Sequence, residues 1–290
     1  MKPMRVGRGG TIMLTTIAML AFAANSLLCR AALSQTGIDP ASFTWVRITS
    51  GAIMLFAIRK FVARKRGEGS WSAAFALFAY AAAFSFAYVS LPAGVGALLL
   101  FGAVQATMII TGLVRGERLT PGQWVGLALA LAGLAALVAP GVSAPPILGS
   151  ALMLTAGVAW GAYSLLGRRG GDPIAVTADN FLRAVALALV MAVPAAAGAH
   201  PIAGIAYAAL SGAAASGLGY SIWYAALPGL SAAEGASVQL SVPVIAAIAG
   251  ALFLGEPVSL RLTLASIAVL GGIALVIASR TSARATPPPR

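Results

Sequence analysis

The sequence predicts an all-α membrane protein, ten transmembrane helices built as two inverted five-helix repeats around a central cavity. Three observations lead there. Apolar residues make up 60% of the 290-residue chain and charged residues only 9%, more apolar surface than a soluble domain of this length can hide. Residues 116–139 (GERLTPGQWVGLALALAGLAALVA) lie over residues 255–278 (GEPVSLRLTLASIAVLGGIALVIA) without a gap, placing Gly116-Glu117 on Gly255-Glu256 and Gly133 on Gly272. A second echo pairs Ser26-Leu27-Leu28-Cys29-Arg30 with Ser164-Leu165-Leu166-Gly167-Arg168. Finally, lysines and arginines fall in every second loop. Strands are disfavoured, because the apolar runs lack period-2 alternation.

Each element has its own punctuation. A bilayer span needs about 20 residues, and the apolar runs meet that length. Span one (11–32) follows Lys2, Arg5 and Arg8; span two (40–62) opens at Asp39-Pro40 and closes on Arg59, Lys60, Arg64, Lys65 and Arg66. Span three (71–90) stops at Leu91-Pro92, and span four (93–114) at Arg115, Gly116, Glu117 and Arg118. Span five (122–139) opens after Thr120-Pro121, span six (147–167) after Pro145-Pro146, and span seven (175–197) after Asp172-Pro173. Span eight (202–225) opens at His200-Pro201 and closes before Leu227-Pro228; span nine (232–254) ends at Gly255-Glu256; span ten (261–279) ends at Arg280. The repeats divide the chain into residues 1–140 and 141–280, with 281–290 read as a disordered cytoplasmic tail ending in Thr286-Pro287-Pro288-Pro289-Arg290.

The cations fix the orientation. With ten spans, the N-terminus, the second, fourth and sixth loops and the tail share one side, and together they hold nearly all Lys and Arg. The other side has only Arg30 and Arg261. Both termini are therefore expected in the cytoplasm. Five spans per half is odd, so the second repeat enters the membrane upside down. Two such halves can build one midplane site that opens to either face, a transporter signature. Lys2, Arg5 and Arg8 before an apolar run and Ala21-Phe22-Ala23 resemble a cleavable signal. That run continues to Leu28, and its repeat partner near Ser164 is internal, so a retained first span is expected.

Composition also excludes. A net charge of +12 lodged in short loops, with no aromatic interleaving, is explained by membrane orientation, and nucleic acid is not an expected partner. One cysteine, Cys29, allows no internal disulfide and reads as a packing residue. With His200 as the sole histidine, no His/Cys metal site and no Ser/His/Asp set can be assembled, and neither cofactor nor enzyme activity is expected. A channel would show charged rings or a carbonyl filter. The expected partners are the lipid bilayer and a small-molecule substrate. The assembly is left open, a monomer included.

The candidate site residues are polar or aromatic groups deep in spans. Tyr80, Phe84 and Tyr88 recur at helical spacing on one face of span three, and Tyr220 and Tyr224, beside Trp223, on span eight. They read as an aromatic cavity wall that stacks on a substrate ring, or as helix packing, with Tyr88 as an interface belt residue. Asn25 and Tyr163 are equivalent at the repeat offset, as are Phe22 and Trp160; a buried Asn in hydrocarbon needs a partner or an aqueous cavity. Gln105, Gln239 and Ser241 are the polar candidates of spans four and nine. Pro243 removes the helical partner of the Gln239 carbonyl and reads as a hinge or kink. Glu234 is the one acid at a span edge that reads as a coupling site, with a helix N-terminal carboxylate as its alternative. Arg47 and Arg183 read as carboxylate holders or as snorkelling side chains, and Glu117 and Glu256 as members of local ion pairs. A cavity of Tyr, Trp, Asn and Gln with few charges suits a neutral or zwitterionic molecule.

The two five-helix repeats, the Gly-Glu pair after the fourth helix of each and the Arg in Trp45-Val46-Arg47 and Phe181-Leu182-Arg183 resemble the drug/metabolite transporter superfamily, EamA type, over nearly the whole chain. Within it the chain is most similar to YddG-type exporters of aromatic and other neutral amino acids. The resemblance implies a multi-pass protein of a bacterial-type inner membrane that exports such amino acids by alternating access; other neutral or cationic metabolites or drugs are the alternative cargo. One departure is that Asp39 to Arg47 is shorter than Asp172 to Arg183, which puts the pairing of the two arginines off by up to a turn.

Overall fold

The computed structural model describes residues 7–62, 68–141, 143–167, 172–230 and 232–285. Lys2, Arg5, Arg64, Lys65, Arg66, Arg168, Arg169 and residues 286–290 lie outside them, as do the side chains of Arg280 and Arg284, so their part in the orientation argument rests on the sequence alone. Ten helices are long and apolar enough to cross a membrane: α1 (Arg8–Thr36), α2 (Pro40–Phe61), α3 (Trp71–Tyr88), α4 (Ala93–Val114), α5 (Pro121–Val138), α6 (Ile147–Leu166), α7 (Pro173–Ala196), α8 (Ile202–Gly229), α9 (Glu234–Leu254) and α10 (Leu260–Ser279). Among the described residues all regular structure is helical. The last helix continues to Ala285, into the stretch expected as tail.

Local chemistry sets the starts. Asp39 Oδ1 accepts from the backbone N–H of Ala41 and Ser42, and Asp172 Oδ1 from Ile174 and Ala175, so each caps a helix whose first residue is proline. Thr120 and Gln123 form a reciprocal capping box on α5. Gly116 and Gly255 end α4 and α9 at φ +87° and +66°, a left-handed conformation that costs glycine little. That turn lays each following glutamate back on its own helix: a Cβ added at Gly112 would lie 2.9 Å from the Glu117 carboxylate, and one at Gly250 2.7 Å from that of Glu256.

The two halves interlock in a pseudo-symmetric pattern. α3 packs on α6 as α8 packs on α1; α4 packs on α6 as α9 packs on α1; α2 meets α7, α4 meets α9 and α5 meets α10 across the dyad. The α5–α10 crossing uses the glycines that the repeat aligns. A Cβ on Gly272 would meet the Gly126 carbonyl at 2.5 Å, and one on Gly133 would meet Ala268 at 2.8 Å. In hydrocarbon, association depends on such close backbone approach.

Two spans are irregular where they matter. The middle of α8, Ser211–Leu218, is π-helical. There Gly212 lies against the Arg47 carbonyl of α2, leaving no room for a Cβ. α9 is interrupted at Leu240, between helical stretches Ala232–Gln239 and Ser241–Leu254. The break falls just before Pro243, whose missing N–H was expected to loosen this turn. The outer surface carries large apolar side chains on successive helices, among them Ile12, Phe75, Trp124, Leu148 and Leu252. Such a surface faces lipid.

Candidate functional site

A chamber of about 490 Å³ lies between the halves, bounded by α1, α3, α4, α6, α7, α8 and α9. Its walls are aromatic. Trp160 of α6 is the hub: its ring is 4.8 Å from Tyr80, 5.2 Å from Tyr163 and stacked 5.2 Å from Tyr220, centroid to centroid. Phe22, its repeat partner on α1, lies 5.8 Å from Tyr220 and 6.2 Å from Trp223. Each helix of this pair therefore sends a ring across the dyad, Trp160 to α3 and Phe22 to α8. Phe84 packs on Tyr80, and Tyr224 completes the lining.

Polar groups enter the same space. Asn25, Gln105 and Gln239 line it, with Thr177, whose hydroxyl donates to Tyr224 Oη at 3.1 Å. Asn25 is buried and bonded at both ends: Ser211 Oγ donates to its Oδ1 at 2.6 Å, and its Nδ2 donates to Tyr80 Oη at 3.3 Å. Behind that hydroxyl sits Arg47. It is 2% exposed, its Nη2 donates to Tyr80 Oη at 2.8 Å, and its guanidinium lies 5.0 Å from the Tyr80 ring centroid and 4.6 Å from that of Phe84. Two ring faces attract the cation by about 0.5–2 kcal/mol each. Nη1 has no hydrogen-bond partner among the described residues.

One end of the chamber is shut. Arg30 Nε donates to Glu256 Oε1 at 2.9 Å, and its Nη1 reaches the carbonyls of Tyr88 and Val89. Glu256 Oε2 accepts from the Ala93 N–H at 2.7 Å, at the start of α4, where the helix dipole favours a negative charge. Tyr88, fully buried, donates to the Ala93 carbonyl at 3.2 Å and packs edge-on against Phe84, so it is not a belt residue. The expectation of a local pair for Glu256 is thus corrected: its turn hands the carboxylate to helix ends far away in sequence. At the opposite end the lining reaches Gly167 and Pro173 between α6 and α7, and Leu227 and Leu230 between α8 and α9. Gly167, Pro173 and Leu227 are exposed, so the lining reaches the surface at this end.

The lining includes Asn25, Tyr80, Phe84, Gln105, Trp160, Tyr163, Tyr220, Trp223, Tyr224 and Gln239. It does not include Ser241, whose hydroxyl donates to the Val238 carbonyl at 2.6 Å and so serves the break in α9. Glu234 is exposed in the first turn of α9 and is not itself a lining residue, although its neighbour Gly235 is. Pro243 is buried in α9 behind the lining. The arginine pairing is also corrected. The two Asp caps align Arg47 with Asn180, not Arg183, because both lie eight residues past their aspartate. Asn180 is buried and accepts from the Ser70 N–H at 2.9 Å, whereas Arg183, half-buried, pairs with Asp179 at 3.2 Å and lies over Trp71. Sequence reasoning missed Ser211 and Thr177; hydroxyls in apolar runs were the available signal.

Comparison with known proteins places this geometry. The family model for EamA-like transporters matches residues 10–139 and 147–278. The chain is 60% identical over 274 residues to an uncharacterized protein of Pseudomonas aeruginosa, covering 93% of this chain and 95% of that one. It is 27% identical over 265 residues to a probable terminal-alkyne amino-acid exporter of Streptantibioticus cattleyicolor, covering 88% and 89%. A solved structure described only as a crystal structure of protein superposes with a TM-score of 0.67 over 97% of this chain and 100% of that chain; at 18% identity this likeness shows the fold alone.

Proposed function

The chain belongs to the EamA-like transporter family, a multi-pass membrane protein with two repeated units, and on that premise we propose that it exports neutral amino acids with aromatic or other apolar side chains by alternating access. The observation that carries this reading is the Trp160 hub. Three tyrosine rings at 4.8–5.2 Å surround it in a chamber of about 490 Å³, within the range of small-molecule pockets, roughly 300–1,000 Å³. A flat apolar side chain can exchange ring–ring contacts with these walls. Asn25, Gln105 and Gln239 offer donors and acceptors to the zwitterionic end. The relative named as a probable amino-acid exporter supports the same class of cargo.

Both termini lie in the cytoplasm in this reading, on the cation-rich side. The open end of the chamber, on the side of the α6–α7 and α8–α9 connections, then faces the cytoplasm and the Arg30–Glu256 end faces outward, the state that loads cargo for export. No acid lines the chamber among the described residues, so movement down the substrate gradient is expected, without an obligatory proton cycle.

Export is tested in cells that carry the chain on a plasmid and are loaded with phenylalanine- or tryptophan-containing dipeptides. Faster appearance of the free amino acid outside, lost in Trp160→Ala, supports the reading. Efflux unchanged for every neutral amino acid, with export of a cationic dye instead, assigns the aromatic walls to cations.

A further inference from the structure

The oxygen of Tyr80 accepts two hydrogen bonds, from Arg47 Nη2 at 2.8 Å and Asn25 Nδ2 at 3.3 Å. A phenolic oxygen so occupied has only its own hydrogen left to offer, and Tyr80 stands on the chamber wall. Ser211 holds Asn25 in this role by donating to its Oδ1 at 2.6 Å. The charge behind the hydroxyl is unusual. Neither ion pair found among the described residues involves Arg47, although it is 2% exposed and its Nη1 lacks a partner. A buried guanidinium without a carboxylate is costly to keep, and such charges in membrane bundles mark substrate pathways. Cation and ring faces soften the cost here but supply no anion.

We propose that Tyr80, polarised by Arg47 and Asn25, is the donor that receives a carboxylate in the chamber, and that Arg47 is a positioning residue supplying the positive field for that anion. The inference rests on the chamber being the substrate site, and it names the anionic end of the cargo. The carboxylate accepts the phenolic hydrogen, its charge offsets the guanidinium behind the ring, and the side chain is left against Trp160. The donor order Arg47 to Tyr80 to anion keeps the guanidinium out of the aqueous space, so the site favours a single carboxylate over a phosphate, which calls for several direct cationic contacts.

The test is binding to purified full-length protein, followed by quenching of the chamber tryptophans excited at a wavelength the ligands do not absorb. The ligands are phenylalanine, phenylalanine amide, 3-phenylpropionate and phenethylamine. Wild type should bind phenylalanine about tenfold more tightly than its amide, and 3-phenylpropionate about tenfold more tightly than phenethylamine, as a charge-assisted hydrogen bond gives. Tyr80→Phe keeps the ring and Arg47→Gln keeps a neutral donor; in both, each preference should fall to within about threefold. Arg183→Gln, which removes a cation outside the chamber, should keep it. Equal binding of acid and amide in wild type overturns the proposal, as does a preference that persists in both Tyr80→Phe and Arg47→Gln. Selective binding of 3-phenylpropionate with none of phenylalanine leaves the carboxylate site standing and removes the amino-acid reading. Binding of none of the four removes both. Should Arg47→Gln fail to fold, Tyr80→Phe alone decides.

Discussion

The Arg30 guanidinium and the Glu256 carboxylate meet at 2.9 Å, although 226 residues separate them in the chain. Their contact joins the end of α1 to the turn before α10 and, through the Ala93 N–H, to the start of α4. A hydrogen bond to a charged group contributes about 1.5–3 kcal/mol, enough to shift the balance between a closed and an open end by more than tenfold. In the alternating-access reading proposed above, opening this end requires that it break.

Cys29 reports on that event. It is fully buried beside Arg30 and is the chain's single cysteine. Glu256→Gln should raise the rate at which a membrane-impermeant maleimide labels Cys29 from outside by about tenfold, the factor a lost bond of this kind implies. Labelling as slow as in wild type would show that the pair does not hold the end shut.

Trp160→Ala removes ring contacts to Tyr80, Tyr163 and Tyr220 at once. Each such pair is worth about 0.5–1.5 kcal/mol beyond area burial. Affinity for phenylalanine should fall at least tenfold, while Trp160→Phe, which retains a ring, should lose less. The comparison is made by equilibrium binding, and equal losses in the two variants would contradict a stacking role.

The glycine crossing of α5 and α10 has no room for a side chain, since Gly126 and Gly272 approach each other's carbonyl oxygens. Gly272→Val forces the helices apart, and overpacking of this kind costs about 1–3 kcal/mol. The variant should melt at lower temperature in detergent, with the chamber's ligand preferences unchanged. Melting at the wild-type temperature would mean that the crossing yields freely.

Glu234, exposed in the first turn of α9, precedes the lining residue Gly235 and does not itself line the chamber. Glu234→Gln should leave flux and its response to a pH gradient as in wild type, measured in proteoliposomes. Loss of a proton-driven component in this variant would return Glu234 to a coupling role.

Much of this architecture is legible in the sequence because hydrocarbon allows few solutions. A long apolar run must be a helix, and paired Gly-Glu turns at a fixed offset mark a duplicated unit. The chamber's Asn25, Tyr80 and Trp160 stand out for the same reason, as polar or ring-bearing groups in a background of Ala, Leu and Gly. What stays hidden is direction. An arginine inside a span reads as snorkelling or inward-facing, and only the packing of α2 on α3 turns Arg47 under Tyr80. The Arg183 pairing misled because the two arginines lie eight and eleven residues past their capping aspartates, three residues apart in a common register. The π-helical stretch of α8 that carries Ser211 to Asn25 lies where Gly212 packs tightly on α2, which no periodicity announces.

The most direct measurement is counterflow in liposomes holding only this protein. Vesicles loaded with unlabelled phenylalanine are diluted into a trace of labelled tryptophan, with no pH gradient and no membrane potential. Transient accumulation of label, abolished in Trp160→Ala and competed by leucine but not by a sugar, is the predicted result. Label that never accumulates above the level of empty liposomes, for tryptophan, phenylalanine and leucine alike, would contradict amino-acid transport through the chamber.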